Sequence, residues 1–358
     1  MRILDWYILR RFCIILIYAL LLFIFIVIFV DMVGNLGKFI DRNVPKIIIL
    51  KYYVFYTPFI VFLVLPISML LASLFSIGHI TRYNELTAIK SVGISLYRIL
   101  GPILGFGFFV SFLALGFGEM IVPAANQGKR NIENDYLEIA RKRNPTKASN
   151  IFWRDKLNRR IFIGHYDNRN KTAQKVTIQT YIGNQIVERL DAPRMKWQDS
   201  TWVLQNGYKR KFSHGKEEAI AFDILPQANI DIKPEQLVQS QVQPEDMSFS
   251  ELKIFTNEVK ANGGNPDRWL VDLYFKISIP FANFIMVLFG APLASNKKRS
   301  GAIFGFIISL FVCFIYYGSN KLIQTLGQNG HLSPLFAAWF TNGIFFTTGL
   351  LLLFITRK

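Results

Sequence analysis

Residues 12–33 read FCIILIYALLLFIFIVIFVDMV, and their only charged member is Asp31. A helix that crosses a bilayer needs about 20 mostly apolar residues, so this run is long enough to span one. Five further runs have the same character: 54–80, 97–122, 269–294, 302–326 and 335–355. The first run is longer than the apolar core of a signal peptide, and no small-residue cleavage site follows it. The sequence therefore predicts six membrane-spanning helices.

The composition fits a chain that is divided between lipid and water. Of the 358 residues, 51% are hydrophobic and 18% are charged, whereas soluble proteins have about 25% charged residues. The formal net charge is nevertheless +17, because 41 Lys and Arg outnumber 24 Asp and Glu. Both cysteines, Cys13 and Cys313, lie inside apolar runs. This placement argues against a disulfide framework and against a Cys-ligated metal site.

Cations in the short loops predict how the six spans are oriented. One set of span ends carries eleven of them: Arg2, Arg10, Arg11, Arg82, Lys90, Arg98, Lys297, Lys298, Arg299, Arg357 and Lys358. The other set carries four: Lys38, Arg42, Lys46 and Lys51. Because Lys and Arg accumulate in cytoplasmic loops, both termini are expected in the cytoplasm. The reversed topology is the alternative, and it would place the eleven cations outside.

The segment between the third and fourth spans changes to a strand-like pattern. Its short β-rich runs are 161–163, 176–182, 185–190, 195–197, 201–204, 208–212 and 219–224. The pairs Gly183-Asn184 and Asn206-Gly207 are two-residue links of the kind that close hairpins. Several short strands at close spacing predict a β-sandwich or jelly roll.

Residues 248–251, Ser-Phe-Ser-Glu, then form a capping-box pattern that predicts a helix leading back to the membrane. The predicted fold is an α-helical membrane protein with six transmembrane helices and an inserted extracytoplasmic all-β jelly-roll domain. Residues 1–122 would hold the first three spans and a short cytoplasmic helix at 82–95. Residues 123–268 would hold the β-domain with flanking helices, and residues 269–358 the last three spans.

Motifs that would signal an enzyme are missing from the sequence. It contains no G-x-x-x-x-G-K-[ST] loop for nucleotide binding, no H-E-x-x-H and no G-x-S-x-G. The four histidines, His79, His165, His214 and His331, are spread over different elements, which favours structural roles. We therefore expect no catalytic residue, no metal and no cofactor in this chain.

Charged residues inside the spans are informative because lipid makes them costly. Asp31, Glu119, Asp272, Lys276 and Lys321 all fall near the outer ends of their spans. Together with Lys38, Arg42, Lys46 and Lys51 they could form a charged rim above an apolar cavity. Such a rim suits an amphiphile with anionic head groups and acyl chains, whose phosphates would pair with Lys and Arg. The alternative is that these side chains reach ordinary lipid head groups.

The loop between the second and third spans predicts a short amphipathic helix on the cytoplasmic side. Leu86, Ile89 and Val92 recur at a helical spacing, and Gly93 can end the helix. Such a helix could lie on the bilayer or dock in a groove of a cytoplasmic protein. Glu85 among basic neighbours favours a protein partner, because anionic lipid would repel a carboxylate.

Two segments and the overall layout resemble a known family. Residues 84–95, NELTAIKSVGIS, are similar to the E-L-x-A-x-x-x-x-G-x-S segment of the LptF/LptG family of lipopolysaccharide export permeases. The opening MRILDWYI is similar to the start of its LptG branch. The order of three spans, a β-domain and three spans matches this family over nearly the whole chain.

The resemblance implies a transport subunit in the bacterial inner membrane, with a periplasmic β-domain and no nucleic-acid partner. It implies a heterodimer with an LptF-like paralogue, an LptB-like ATPase dimer beneath it that hydrolyses the ATP, and an LptC-like protein at one gate. The loop helix would be the coupling helix inserted into the ATPase, through Glu85, Leu86, Ile89 and Gly93. Lipopolysaccharide head groups would be bound by four cations: Lys38, Arg42, Lys276 and Lys321.

Two other interpretations stay open at this point. The chain could be the LptF-type subunit of the same exporter. It could instead be a membrane-anchored scaffold or an enzyme that modifies envelope lipids, although the β-domain sequence offers no obvious catalytic constellation.

Overall fold

The computed structural model describes residues 3–137, 147–154, 159–182, 185–198, 201–213, 216–227, 230, 232, 234, 237, 244–261, 265–295 and 302–356. The chain forms two compact units. The first comprises Met1–Ile132, Pro244–Thr256 and Asn265–Lys358, and the second comprises Glu133–Gln243 and Asn257–Gly264.

Ten α-helices occur in the described ranges. They are α1 (Ile3–Asp41), α2 (Lys46–Arg82), α3 (Glu85–Ser91), α4 (Leu96–Met120), α5 (Val122–Ile132), α6 (Phe249–Ala261), α7 (Asp267–Ser278), α8 (Ala282–Ala294), α9 (Ala302–Gln328) and α10 (Pro334–Ile355). Among the described residues, six helical segments are long and apolar enough to cross a membrane, with α7 and α8 counting as one. The prediction of six spans is therefore confirmed, and the protein is a multi-pass membrane protein.

Consecutive spans alternate in direction, which defines two sides of the first unit. On the terminal side, α1 begins, α3 lies between α2 and α4, and α10 ends. On the insert side, α4 ends and α7 begins. The first helix has 39 residues and is about 58 Å long at a rise of 1.5 Å per residue. It therefore extends beyond a hydrocarbon core of about 30 Å.

The core of the first unit lies mainly where α1, α2, α4 and α8 meet. Its fully buried members include Phe12, Met69, Leu70, Ile103 and Met286. The helices approach closely at Gly290, where an added Cβ would lie 2.2 Å from the Ser73 Oγ and 2.7 Å from the Leu70 Cδ1. Glycine therefore allows α8 to pack directly on α2.

The fourth span is broken in the middle. Helix α7 ends at Ser278, a 3-10 turn covers Ile279–Phe281, and α8 follows. Pro280 causes the break, because it has no backbone N–H and its ring clashes with the preceding turn. The Asn342 Nδ2 donates to the Ser278 carbonyl at 2.7 Å, and the Phe284 N–H donates to the Ser111 Oγ at 3.1 Å. Side chains of neighbouring spans thus form hydrogen bonds with the backbone groups around the break. Lipid tails could not form such bonds.

The second unit contains an antiparallel sheet of six described strands. They are β1 (Lys147–Arg154), β2 (Arg159–Asp167), β3 (Thr172–Ile182), β4 (Gln185–Gln198), β5 (Thr201–Ser213) and β6 (Lys216–Gln227), and each pairs with the next in sequence. The prediction of an inserted β-domain is confirmed. The jelly-roll connectivity is wrong for the described strands, because a jelly roll needs Greek-key crossovers and this sheet is a meander. Short links allow this order: Ile182 faces Gln185, and Ser213 faces Lys216.

Several short predicted strands merge into longer ones. The runs 185–190 and 195–197 are both parts of β4, and the runs 201–204 and 208–212 are both parts of β5. The predicted hairpin at Asn206-Gly207 is therefore wrong. Asn206 takes a left-handed φ of 52° inside β5, and the strand register is the same on both sides of it. An added Cβ on Gly207 would lie 2.5 Å from the Asp191 carbonyl oxygen, so this pair marks a kink with a close backbone approach. The predicted link at residues 183–184 lies outside the described residues.

The sheet has one apolar and one charged face. The apolar side chains form a buried cluster that includes Ile161, Ile163, Val176, Ile178, Leu190, Trp202 and Leu204. On the charged face, Asp191 accepts hydrogen bonds from the Thr177 Oγ1 at 2.9 Å and from the Arg189 Nε at 2.8 Å. The Arg210 Nη1 lies 3.4 Å from the Glu217 Oε1. This alternation follows from the two-residue period of a strand.

Candidate functional site

The short helix α3 on the terminal side is the first candidate site. It begins after Asn84, which has a left-handed φ of 61° and makes no side-chain cap bond. It ends before Gly93, which has a φ of 85° and whose N–H donates to the Lys90 carbonyl at 3.0 Å. Gly93 therefore occupies the left-handed position that commonly follows a helix.

The apolar side chains of α3 point in different directions. Leu86 is buried in the helical core and Ile89 packs against it. Val92 is 80% exposed, so these three residues do not form one continuous face. Leu86 and Ile89 anchor α3 to the first unit, and the exposed side chains around them include Tyr83, Thr87 and Val92.

Glu85, at the start of α3, contacts the first helix. The Tyr7 hydroxyl donates to the Glu85 Oε2 at 2.8 Å. The Arg11 Nη1 donates to the Tyr7 hydroxyl oxygen at 2.8 Å and lies 3.8 Å from the Glu85 Oε1. The carboxylate is still 35% exposed at its side chain, so it remains accessible from outside the chain.

A second ion pair holds the beginning of α1 against α4. The Arg98 Nη2 lies 2.8 Å from the Asp5 Oδ2, and the Asp5 side chain is only 11% exposed. The helices α1, α3 and α4 are therefore joined at the terminal side by polar contacts as well as by apolar packing.

The predicted head-group cations differ in their surroundings. Lys38, Arg42 and Lys321 are exposed on the insert side. The Lys38 Nζ donates to the Asn35 Oδ1 at 2.5 Å, and the Lys321 Nζ donates to the Gln324 Oε1 at 3.3 Å. Both lysines are therefore held by an uncharged neighbour on their own helix.

Lys276 is different because it is half-buried among acids. Its charge interacts with those of Glu119, Glu245, Asp246 and Asp272. These carboxylates favour the positive charge of the ammonium group within the protein. Lys276 therefore does not share the exposed setting of the other three predicted cations.

The acidic residues of the predicted rim all have partners inside the first unit. Asp31 accepts from the Tyr53 hydroxyl at 3.2 Å. The Asp272 Oδ1 accepts from the Gln324 and Gln328 side-chain amides at 2.8 and 2.7 Å. Glu119 accepts from the Phe249 N–H at 2.6 Å. These contacts show that the acids serve internal packing.

Polar contacts tie α5 to the segment that returns from the second unit. The Asn126 Nδ2 donates to the Glu245 carbonyl at 3.3 Å, and the Gln127 Nε2 donates to the Asp246 carbonyl at 3.2 Å. Arg130 forms an ion pair with Asp246. With the bond from Phe249 to Glu119, these contacts define a return clasp between residues 119–130 and 245–250.

The chain thus combines six spans, an inserted sheet and a short helix between the second and third spans. A sequence model of the family described as "Lipopolysaccharide export system permease LptF/LptG" matches residues 6–354. The chain belongs to this family. The LptF permease proteins of Escherichia coli K12 and Shigella flexneri are each 20% identical to it over 350 residues, which cover 93% of this chain and 90% of theirs.

Members of the LptF/LptG family are permease subunits for lipopolysaccharide export, so transport rather than catalysis is the family's role. Among the described residues of this family member, no group of three or more His, Cys, Asp and Glu side chains could hold a metal ion.

The sequence did not identify Tyr7 and Arg11 as partners of Glu85. The two residues lie one helical turn apart at the start of α1, which is a visible pattern. Tyr7 and Glu85 are 78 positions apart in the sequence. Their contact could not be predicted, because only the packing of α1 on α2 and α4 brings the two residues together.

Proposed function

We propose that this permease is a transmembrane subunit of an ABC-type exporter that extracts lipopolysaccharide from the inner membrane. It would pass the lipid toward the outer membrane, driven by a separate ATPase. The observation that supports this best is α3, a short helix anchored by Leu86 in the core and flanked by the exposed side chains of Tyr83 and Val92. A projecting helix with a buried anchor and exposed side chains suits docking in a partner's groove.

The partner at α3 would be an LptB-like ATPase dimer, and ATP would be bound and hydrolysed there. This chain would therefore need no cofactor of its own. Glu85 would accept a hydrogen bond from a cation of the ATPase, because its side chain is 35% exposed. Both termini and α3 would then be cytoplasmic, and the β-domain periplasmic.

An LptF-like paralogue would cover surfaces that this chain leaves open. The most apolar part of α1 is only 11% buried and that of α9 is 22% buried, against 67% for α2. Two such weakly packed spans are suited to a lateral opening between two subunits, through which a lipid can enter. An LptC-like protein with a single span would bind beside one opening.

The lipid phosphates would pair with the exposed cations Lys38, Arg42 and Lys321. Lys38 and Arg42 lie at the end of the weakly buried first span, and Lys321 lies in the last third of the weakly buried fifth span. An acyl chain can lie along either helix with its head group near these cations. Lys276 would contribute less, since four carboxylates already act on its charge. Lysine and arginine both bind phosphate through charge-assisted hydrogen bonds.

Affinity purification in mild detergent tests this function. We expect a cytoplasmic ATPase and a second six-span protein to copurify with the wild-type chain. Glu85→Lys should remove the ATPase, because it reverses the charge at the contact. Glu218→Lys is the matched control, since it makes the same change at an exposed site on β6. Normal assembly and normal export in Glu85→Lys would contradict the role of Glu85.

Assignment to the LptG or the LptF subunit is a separate question. The opening residues favour LptG, whereas the curated relatives at 20% identity are LptF proteins. Crosslinking of an LptC-like protein to one lateral opening and not the other would decide between the two subunits.

A further inference from the structure

The Tyr7 hydroxyl lies between two opposite charges on different helices. It donates to the Glu85 Oε2 and accepts from the Arg11 Nη1, both at 2.8 Å. The Arg11 guanidinium also lies 5.6 Å from the centre of the Tyr7 ring. Since the hydroxyl can donate and accept at the same time, it links the cation of α1 to the carboxylate of α3 in one chain of hydrogen bonds.

Glu85 has capacity for a further partner while it is held in this way. A carboxylate offers about four acceptor sites on its two oxygens. The Tyr7 hydroxyl uses one site on Oε2, and Oε1 lies 3.8 Å from Arg11, beyond a direct hydrogen bond. A donor from outside could therefore bind Glu85 without displacing Tyr7.

Helix α1 can carry a displacement from this point across the membrane. It continues without a break from Ile3 to Asp41, and Tyr7 lies about 46 Å from Lys38 at 1.5 Å per residue. Most buried residues of α1 lie in the half next to α3, namely Asp5, Ile8, Phe12, Leu16 and Ala19. Phe39, near the other end, is also buried. The part of α1 that is fixed to the bundle is therefore the part that contacts α3.

We propose that Tyr7 and Arg11 are positioning residues that fasten the coupling helix α3 to the first span through Glu85. Movement imposed on α3 is passed to α1 by this link, and from α1 to the cations at its insert-side end. The inference rests on the proposed function, because it needs an ATPase that moves α3.

Tyr7→Phe tests the link most directly. It removes one hydroxyl and leaves the charges of Arg11 and Glu85, the ring and the exposed surface of α3 unchanged. The readout is the amount of purified lipopolysaccharide extracted per ATP hydrolysed by the intact complex in proteoliposomes. We expect this ratio to fall about three- to tenfold, the range for one ordinary intramolecular hydrogen bond in a partly exposed setting. Complex yield and ATP hydrolysis should stay near wild type.

Tyr18→Phe is the matched control, because Tyr18 lies on the same helix and is 70% exposed. It should leave the ratio unchanged. Arg11→Met combined with Tyr7→Phe should cost less than the sum of the two single changes, since both break the same chain of hydrogen bonds. An unchanged ratio in Tyr7→Phe overturns the inference, and so does an equal fall in Tyr18→Phe. Failure of any ATPase to copurify with the wild type would instead overturn the proposed function.

Discussion

Two helical glycines differ in what surrounds them, and they make a matched pair at the residue scale. Gly290 touches Ser73 and Leu70 so closely that a methyl group does not fit, whereas nothing lies within 4 Å of a Cβ built on Gly105. Gly290→Ala should destabilise the protein by about 1–3 kcal/mol through overpacking. Gly105→Ala should be neutral or stabilising, because alanine favours helix over glycine. Thermal unfolding in detergent measures both, and equal shifts would contradict the close packing of α8 on α2.

Single residues also show where sequence reasoning stops. The cost of a charge in lipid singled out Asp31, Glu119 and Asp272 as members of a charged rim. It did not show that they have partners inside the first unit, since the amide that Glu119 caps is 130 positions away. Gly93 was different, because a helix stop depends on local backbone conformation, and its φ of 85° confirms that prediction.

At the scale of elements, the start of α6 has two caps. The predicted capping box is present: the Ser248 N–H donates to the Glu251 Oε2 at 2.8 Å, and the Glu251 N–H to the Ser248 Oγ at 3.2 Å. Glu119 adds a further acceptor from α4 for the Phe249 N–H. A carboxylate is favourable there, because the first N–H groups of a helix have no partner within it.

Glu119→Ala should loosen the first turn of α6, because the Phe249 and Ser250 amides lose their acceptor. Loss of a helix cap costs about 1 kcal/mol, so exchange of these amides with deuterium should quicken by about fivefold. Glu245→Ala is the control. The charges of Glu119 and Glu245 both interact with that of Lys276, but Glu245 contributes its backbone carbonyl to the return clasp, and alanine keeps that carbonyl. Faster exchange in both variants would mean that lost charge near Lys276, and not lost capping, loosens the helix.

The elements also show which patterns the sequence can decide. The long apolar runs predicted the six spans correctly, because the thickness of the bilayer sets the length that a membrane-crossing helix needs. The contacts of Asn342 and Ser111 with the broken fourth span and the Tyr316–Asn342 bond of 2.6 Å depend on which spans are neighbours, which hydrophobicity does not determine. In the sheet, local turn signals were ambiguous, since Asn206-Gly207 suits a hairpin and a kinked strand equally.

At the scale of the whole molecule, burial is unevenly distributed over the spans. The second and fourth spans are each 67% buried in their most apolar part, whereas the first, fifth and sixth are between 11% and 28% buried. The first unit is therefore built around α2 and α7–α8, and the surfaces of α1 and α9 are available to lipid or to another subunit. The proposed exporter uses this asymmetry, because its lipid must enter from the side.

The orientation of the molecule can be tested with one accessible cysteine on each side. Cys13→Ala and Cys313→Ala first remove the native thiols, and Val92→Cys or Tyr208→Cys then adds one. Val92, directly after α3, is 80% exposed, and Tyr208 on β5 is 55% exposed. A membrane-impermeant maleimide applied to spheroplasts should label the cysteine at position 208 and leave that at position 92 unlabelled, and detergent should equalise the two. The excess of cations on the terminal side predicts this result. The opposite pattern would place α3 outside the cell, where no ATP is available, and would exclude the proposed coupling to an ATPase.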